Sequence, residues 1–172
     1  PKNYCEAVSL YPLISNGIKD MDGVTPKIAN HLPSFCGQFN NLVFLLSAQC
    51  KGAVAFGEFF NYFDYYCVKD YGEDYHLKEQ VYADSEHVRD RKTIGQKIEA
   101  AFQTIVYYIN QPAQNRGWQS PFTNISYYDS KYWEALFKDF YFPDGTQPSW
   151  ERVSYLPVSY THLRAHETRG NL

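Results

Sequence analysis

Four cysteines, Cys5, Cys36, Cys50 and Cys67, are the side chains of this sequence best suited to nucleophilic, redox or hydrogen-transfer chemistry. A thiol releases hydrogen more readily than a hydroxyl and ionises near pH 8.5, so one well-placed cysteine can act as a hydrogen or proton donor. No two of them form a C-x-x-C pair, so neither a zinc ribbon nor a thioredoxin-like redox pair is indicated. His31, His76 and His87 have no metal-ligand spacing with one another or with the cysteines, and read as surface or loop residues. His162 and His166, at i and i+4, would put two imidazoles on one helix face where zinc could bind. A second concentration of polar groups lies in NQPAQNRGWQSPFTNISYYD, residues 110–129. Here Gln119, Ser120, Thr123 and Asn124 offer hydrogen-bonding groups at the entrance to an aromatic, β-branched run, just after Gly117, which lets backbone approach a ligand closely. The same side chains could instead cap the preceding helix and satisfy turn backbone. Arg116 could grip a phosphate bidentately or form an ordinary ion pair.

Periodicity indicates the elements that must hold these groups. Residues 4–18 begin with a short mixed run and stop at Asn16-Gly17, where glycine suits a left-handed helix end. A polar loop follows, and Pro33 fits the first turn of a helix, where its missing N–H costs nothing. Phe35, Cys36, Phe39, Leu42, Val43, Leu45 and Leu46 then recur at three- and four-residue spacing, which predicts an amphipathic helix with a core-facing stripe. A second helix is expected from Ala53 to about Val68, with Phe56, Phe59, Phe60 and Phe63 on one side. Residues 69–92 read as a charged loop with a short helix. The third strong helix runs from Thr93 to Ile109 and is ended by Asn110 and Pro112. Ser120–Tyr128 predicts a strand, Lys131–Phe140 a short helix, and FPDGTQPSW a turn. Helices flanking short strands predict an α/β fold that is predominantly helical, with too few strands for a finished sheet.

Composition narrows the function classes. At 172 residues the chain can hold one core, and 44% apolar with 18% aromatic residues predicts a packed interior. A net charge of −3 gives no field for a nucleic-acid polymer or an anionic membrane surface. The most apolar run, Leu42–Leu46, is far shorter than the ~20 residues a membrane span requires. The amino end lacks the charged-then-apolar order of a secretion signal, so a reducing, cytoplasmic setting is expected. Val158–Thr168, VSYTHLRAHET, resembles one reading frame of a sequencing-library transposon adapter translated into amino acids. Residues 157–172 are therefore expected to be a non-native tail, which removes the His162/His166 pair as a metal site.

Three stretches carry a family resemblance. NQPAQNRGWQSPFTNISYYD, continuing into KYWEALFKDFYFPDGTQPSWE, resembles the catalytic subunit of anaerobic (class III) ribonucleoside-triphosphate reductase. HLPSFCGQFNNLVFLLSAQCKGAVAFGEFFNYF, residues 31–63, is similar to that family's helix pair and the Gly-Ala-x-Ala-Phe turn between them. NYCEAVSLYPLISNGI, residues 3–18, is similar to its cysteine strand, short helix and glycine. The resemblance implies that residues 1–156 are a fragment of the ten-stranded α/β barrel of ribonucleotide reductases and glycyl-radical enzymes.

It also implies an oxygen-sensitive oxidoreductase making deoxyribonucleoside triphosphates for DNA replication, although the fragment alone is not expected to be active. In that setting Cys5 is the catalytic candidate, donating hydrogen on the 2′ side of the ribose, and Gln119, Ser120, Thr123 and Asn124 shape the substrate cavity. On the residues alone, Cys5 reads as a small buried apolar side chain. Lys27, Gln38 and Asn41 are candidate contacts for an allosteric nucleotide effector, ATP included, beside a homodimer interface. The loop GVTPKIANH departs from the family's usual Pro-Lys placement. The glycyl radical, the thiyl-radical cysteine and a zinc cluster are implied outside these residues, as is a radical-SAM activating enzyme as partner. Either formate or a thiol system could be the reductant. Two alternatives stay open here: another glycyl-radical enzyme of the pyruvate formate-lyase type, and a helical interaction module docking a partner through its aromatic stripes.

Overall fold

A computed structural model describes residues 3–18, 27–83, 91–112 and 119–169, with side chains as far as residue 163. Three short parallel strands lie side by side in chain order: β1 (Glu6–Ala7), β2 (Val54–Phe56) and β3 (Thr123–Ile125). Parallel neighbours need crossover connections. Between β1 and β2 these are α1 (Tyr11–Asn16) and α2 (Leu32–Gln49); between β2 and β3 they are α3 (Phe59–Tyr71) and α4 (Ile94–Ile109). The shorter α5 (Ser130–Phe137) and α6 (Trp150–Arg169) follow.

The helices form because their apolar stripes have somewhere to go. α2 packs on α4 and on β2, while α6 packs on α3 and α4. Aromatic rings fill the space between them. Phe63 of α3 stacks nearly parallel on Phe102 of α4 at 4.1 Å, and Phe39 of α2 meets the edge of Phe56 of β2 at 4.9 Å. The start of α2 is fixed from outside: Asp70 of α3 accepts the Leu32 N–H at 2.8 Å and lies 2.9 Å from His31 Nδ1. Thr93 and Gln96 form a reciprocal capping box at the start of α4, and the Asp129 carboxylate accepts the Tyr132 N–H at the start of α5.

Several expectations are corrected. The helix expected from Ala53 begins only at Phe59, because Val54–Phe56 is a strand bonded on both edges. A three-residue Val-Ala-Phe strand covered on one face carries no alternation long enough to separate it from a helical stripe. Strand β3 is shorter than the predicted Ser120–Tyr128, since pairing with β2 stops at Ile125. Within residues 69–83 and 91–92, α3 extends to Tyr71 and is followed by a single 3-10 turn, Tyr75–Leu77. The fifth helix covers Ser130–Phe137 rather than Lys131–Phe140. Leu45, expected in the α2 stripe, is 49% exposed. α6 runs on through Pro157 into the stretch read as a non-native tail, with Tyr160 packed edge-on to Phe102 at 5.5 Å and Leu163 buried. Its leucine, alanine and arginine are good helix formers, and its tyrosine finds an aromatic slot. The fold class stands as mixed helices around a small parallel sheet.

Candidate active site

Register decides which side chains of the sheet share a face. Glu6 pairs with Val54, which pairs with Thr123; Ala7 pairs with Ala55, which pairs with Asn124. Side chains alternate along a strand, so these two rows point to opposite faces. Val54 and Phe56 are fully buried and Phe56 meets α2, so the row of Glu6, Val54 and Thr123 faces the helices. Cys5, Ala7, Ala53, Ala55, Phe122 and Asn124 therefore lie on the other face, which the helices leave uncovered. Cys5, Ala7 and Asn124 are exposed there, and Phe122 is 50% exposed.

The cysteines divide accordingly. Cys5 is exposed, whereas Cys36, Cys50 and Cys67 are buried. Burial pushes the Cys36 thiol up to about 12 and the Cys67 thiol well above its ordinary value, which leaves both protonated and inert. Cys50 donates its S–H to the Glu6 carboxylate at 3.3 Å, so that hydrogen is committed. Cys5 instead accepts: the Ala53 N–H reaches its sulfur at 3.4 Å.

Of the substrate candidates, the sheet brings only Asn124 onto the Cys5 face. Two strand spacings, roughly 10 Å, separate them across the sheet. Thr123 faces the helices, and with Ser120 and Asn110 it lines a cavity of about 230 Å³ against the end of α4. Gln119 is exposed, and Arg116 and Gly117 lie outside the described residues. Among the effector candidates, Gln38 Nε2 donates to the main-chain oxygen of Lys27 at 2.8 Å, and Asn41 stands exposed one turn further along α2. The Gln38 side-chain oxygen is buried with no partner among the described residues.

Sequence reasoning missed the buried polar groups of α3. Asp64 is fully buried, bonded by Arg152 Nε at 3.0 Å and by the Tyr75 hydroxyl at 2.9 Å. Burial raises its carboxyl, and Arg152 and Tyr75 oppose that rise without reversing it. Asn61 accepts from the Trp133 indole at 2.9 Å. A charge inside the aromatic run FFNYFDYY was the available signal. A cavity of about 490 Å³ with walls from Phe60, Trp133, Phe137 and Trp150 opens between the β3–α5 connection and α6. None of its lining residues belongs to the Cys5 face. Among the described residues no three His, Cys, Asp or Glu side chains are grouped to hold a metal ion. No helix there is long and apolar enough to cross a membrane.

A parallel sheet backed by helices, with a free thiol and an amide on its open face, defines a partial α/β scaffold with one exposed sulfur. A family model for anaerobic ribonucleoside-triphosphate reductase matches residues 1–147, and the chain belongs to that family. This decides for the reductase over the pyruvate formate-lyase type and the interaction module. Solved structures agree. The chain resembles the anaerobic ribonucleotide reductase from Thermotoga maritima with citrate in the active site, with a TM-score of 0.79 and 28% identity over 99% of this chain and 28% of that one. It also resembles the same organism's enzyme in complex with dATP and CTP, with a TM-score of 0.67 and 30% identity over 96% of this chain and 24% of that one. The form with glycerol in the active site gives a TM-score of 0.74 and 30% identity, over 96% and 25%. The chain thus spans about a quarter of the length of these relatives. No protein of curated function matches it significantly.

Proposed function

We propose that the chain is part of the catalytic barrel of an anaerobic reductase that converts ribonucleoside triphosphates to 2′-deoxyribonucleoside triphosphates, with the open face of the sheet turned to the ribose. The carrying observation is that Cys5 is the one exposed thiol among four and shares its face with three alanines and an amide. The alanines leave room for a sugar. Asn124 can donate to or accept from a ribose hydroxyl or the base. Once the C3′ hydrogen has been removed, the Cys5 S–H protonates the departing 2′ hydroxyl, which leaves as water; an external reductant supplies the two electrons.

The glycyl radical supplies the oxidising equivalent that starts this sequence, and it is assigned outside residues 1–172. A zinc cluster is proposed outside these residues as well. On this reading residues 1–156 complete a ten-stranded barrel only with the remainder of the protein, and 157–172 are the adapter-derived tail. Thr123 supports β3 from behind rather than touching substrate, because its row faces the helices, whereas Ser120 keeps its place as a substrate candidate. Gln119 keeps a place at the cavity mouth.

Lys27, Gln38 and Asn41 form one patch at the α2 face and are proposed to contact a nucleotide effector near a homodimer interface. A Thermotoga relative with dATP bound in its specificity site supports an effector of this kind. A radical-SAM activating enzyme and a cytoplasmic setting complete the proposal. In the full-length reductase, Cys5→Ala should abolish turnover while leaving the circular dichroism melt unchanged; retained deoxynucleotide production would remove Cys5 from the chemistry.

A further inference from the structure

We propose that Gly52 is a positioning residue for Cys5: the space a side chain would take at position 52 holds the reactive sulfur. This rests on Cys5 being the hydrogen donor of the reaction. Three successive amides, those of Lys51, Gly52 and Ala53, point at the segment before β1. Lys51 N–H donates to the Asn3 carbonyl at 2.9 Å, Gly52 N–H to the Tyr4 carbonyl, and Ala53 N–H to the Cys5 sulfur at 3.4 Å. The third of these bonds goes to a side chain where the two before it go to main chain. It occupies a lone pair of the sulfur and does not use the S–H hydrogen.

Gly52 permits this approach through space rather than through backbone conformation, since no positive φ is recorded there. A Cβ at position 52 would lie 2.7 Å from Cys5 Sγ and 2.6 Å from the Tyr4 carbonyl oxygen. Neither distance is tolerable, and the carbonyl is tied into the strand-side ladder, so the thiol is the part that can swing away. An ordinary carbon–sulfur contact requires roughly 1 Å of displacement, and a misplacement of that size can cost about 100-fold in rate. Gly52 is thus predicted to act on the chemical step through Cys5, without touching substrate.

The test is Gly52→Ala in the full-length reductase, with steady-state kinetics and the rate of iodoacetamide alkylation at Cys5 read by peptide mass spectrometry. The expected result is a fall in kcat of about 100-fold with KM within about twofold, accompanied by a changed Cys5 alkylation rate. An unchanged kcat, or a loss of kcat with Cys5 alkylation unaltered, would overturn the inference. A cycle with Cys5→Ala guards against misfolding. If the sulfur is what position 52 must spare, the drop in Tm on Gly52→Ala is smaller in the Cys5→Ala background. Equal drops, or failure of both proteins to fold, assign the clash to the Tyr4 carbonyl and overturn it. Turnover retained by Cys5→Ala alone would instead defeat the underlying assignment of Cys5, so the two failures are distinguishable.

Discussion

Asp64 shows how little latitude a single side chain has in this core. Its carboxylate is fully buried on α3, and its partners come from the 3-10 turn and from α6: the Tyr75 hydroxyl and the Arg152 guanidinium. Burial opposes the charge, and the ion pair holds only because both partners arrive together. Removing one of them leaves an uncompensated buried charge. Arg152→Met is therefore expected to cost about 3–5 kcal/mol in urea unfolding, whereas Asp64→Leu combined with Arg152→Met should recover most of that loss. If the double variant were no more stable than Arg152→Met, the penalty would have to come from lost packing of the arginine stem. Asp64→Asn keeps the hydrogen bonds without the charge, and it should be the milder single change.

At the scale of elements, the helix ends are where local chemistry can be tested most cleanly. Thr93 and Gln96 satisfy two otherwise orphaned amides at the start of α4, and Thr93→Ala should cost about 1 kcal/mol in chemical denaturation. At the other end of α3, Gly72 sits at φ 90° and ψ 167°, a region essentially reserved for glycine, so Gly72→Ala should cost about 1–3 kcal/mol. An alanine variant as stable as the parent at position 72 would mean that this turn relaxes without loss. The same elements explain what the sequence disclosed. α2 and α4 were readable because each buries one apolar stripe, Leu32, Phe35, Phe39 and Val43 in α2 and Ile94, Ile98, Phe102 and Ile105 in α4. β2 was not, because its three residues sit between a glycine and an aromatic helix and continue that helix's apolar pattern. α6 was hidden by the foreign look of its second half, although Val153 and Leu156 in its first half are core residues. Cys5 was singled out through the family resemblance, but its face and that of Asn124 follow only from the register with β2, which no local pattern encodes. The same register separates Thr123 from Asn124.

Across the whole molecule, the aromatic core ties stability to pH on the alkaline side. Tyr62, Tyr66 and Tyr75 are completely buried, and burial raises all three hydroxyls above their ordinary value; Cys36 is pushed up to about 12 by the same cause. Each group keeps its proton in the folded state at a pH where the unfolded chain has lost it. Their contribution is therefore fully present below the unfolded values, about 8.5 for the thiol and about 10 for the phenols, and declines as pH rises toward the folded values. With each proton worth about 1.4 kcal/mol per pH unit, the four together weigh roughly 5 kcal/mol per unit above pH 10. That is comparable to the whole stability of an ordinary domain. The chain should accordingly unfold cooperatively between about pH 10 and 12, with the helical circular dichroism and the tyrosinate absorbance changing at one midpoint. Mutating one contributor tests the cause. Tyr62→Phe removes a buried hydroxyl that has no hydrogen-bond partner among the described residues, so it should shift that midpoint upward while leaving neutral-pH stability within about 1 kcal/mol. Tyrosinate formation running to completion near pH 10 with the helical signal intact would show instead that these rings are reached by solvent in the folded state.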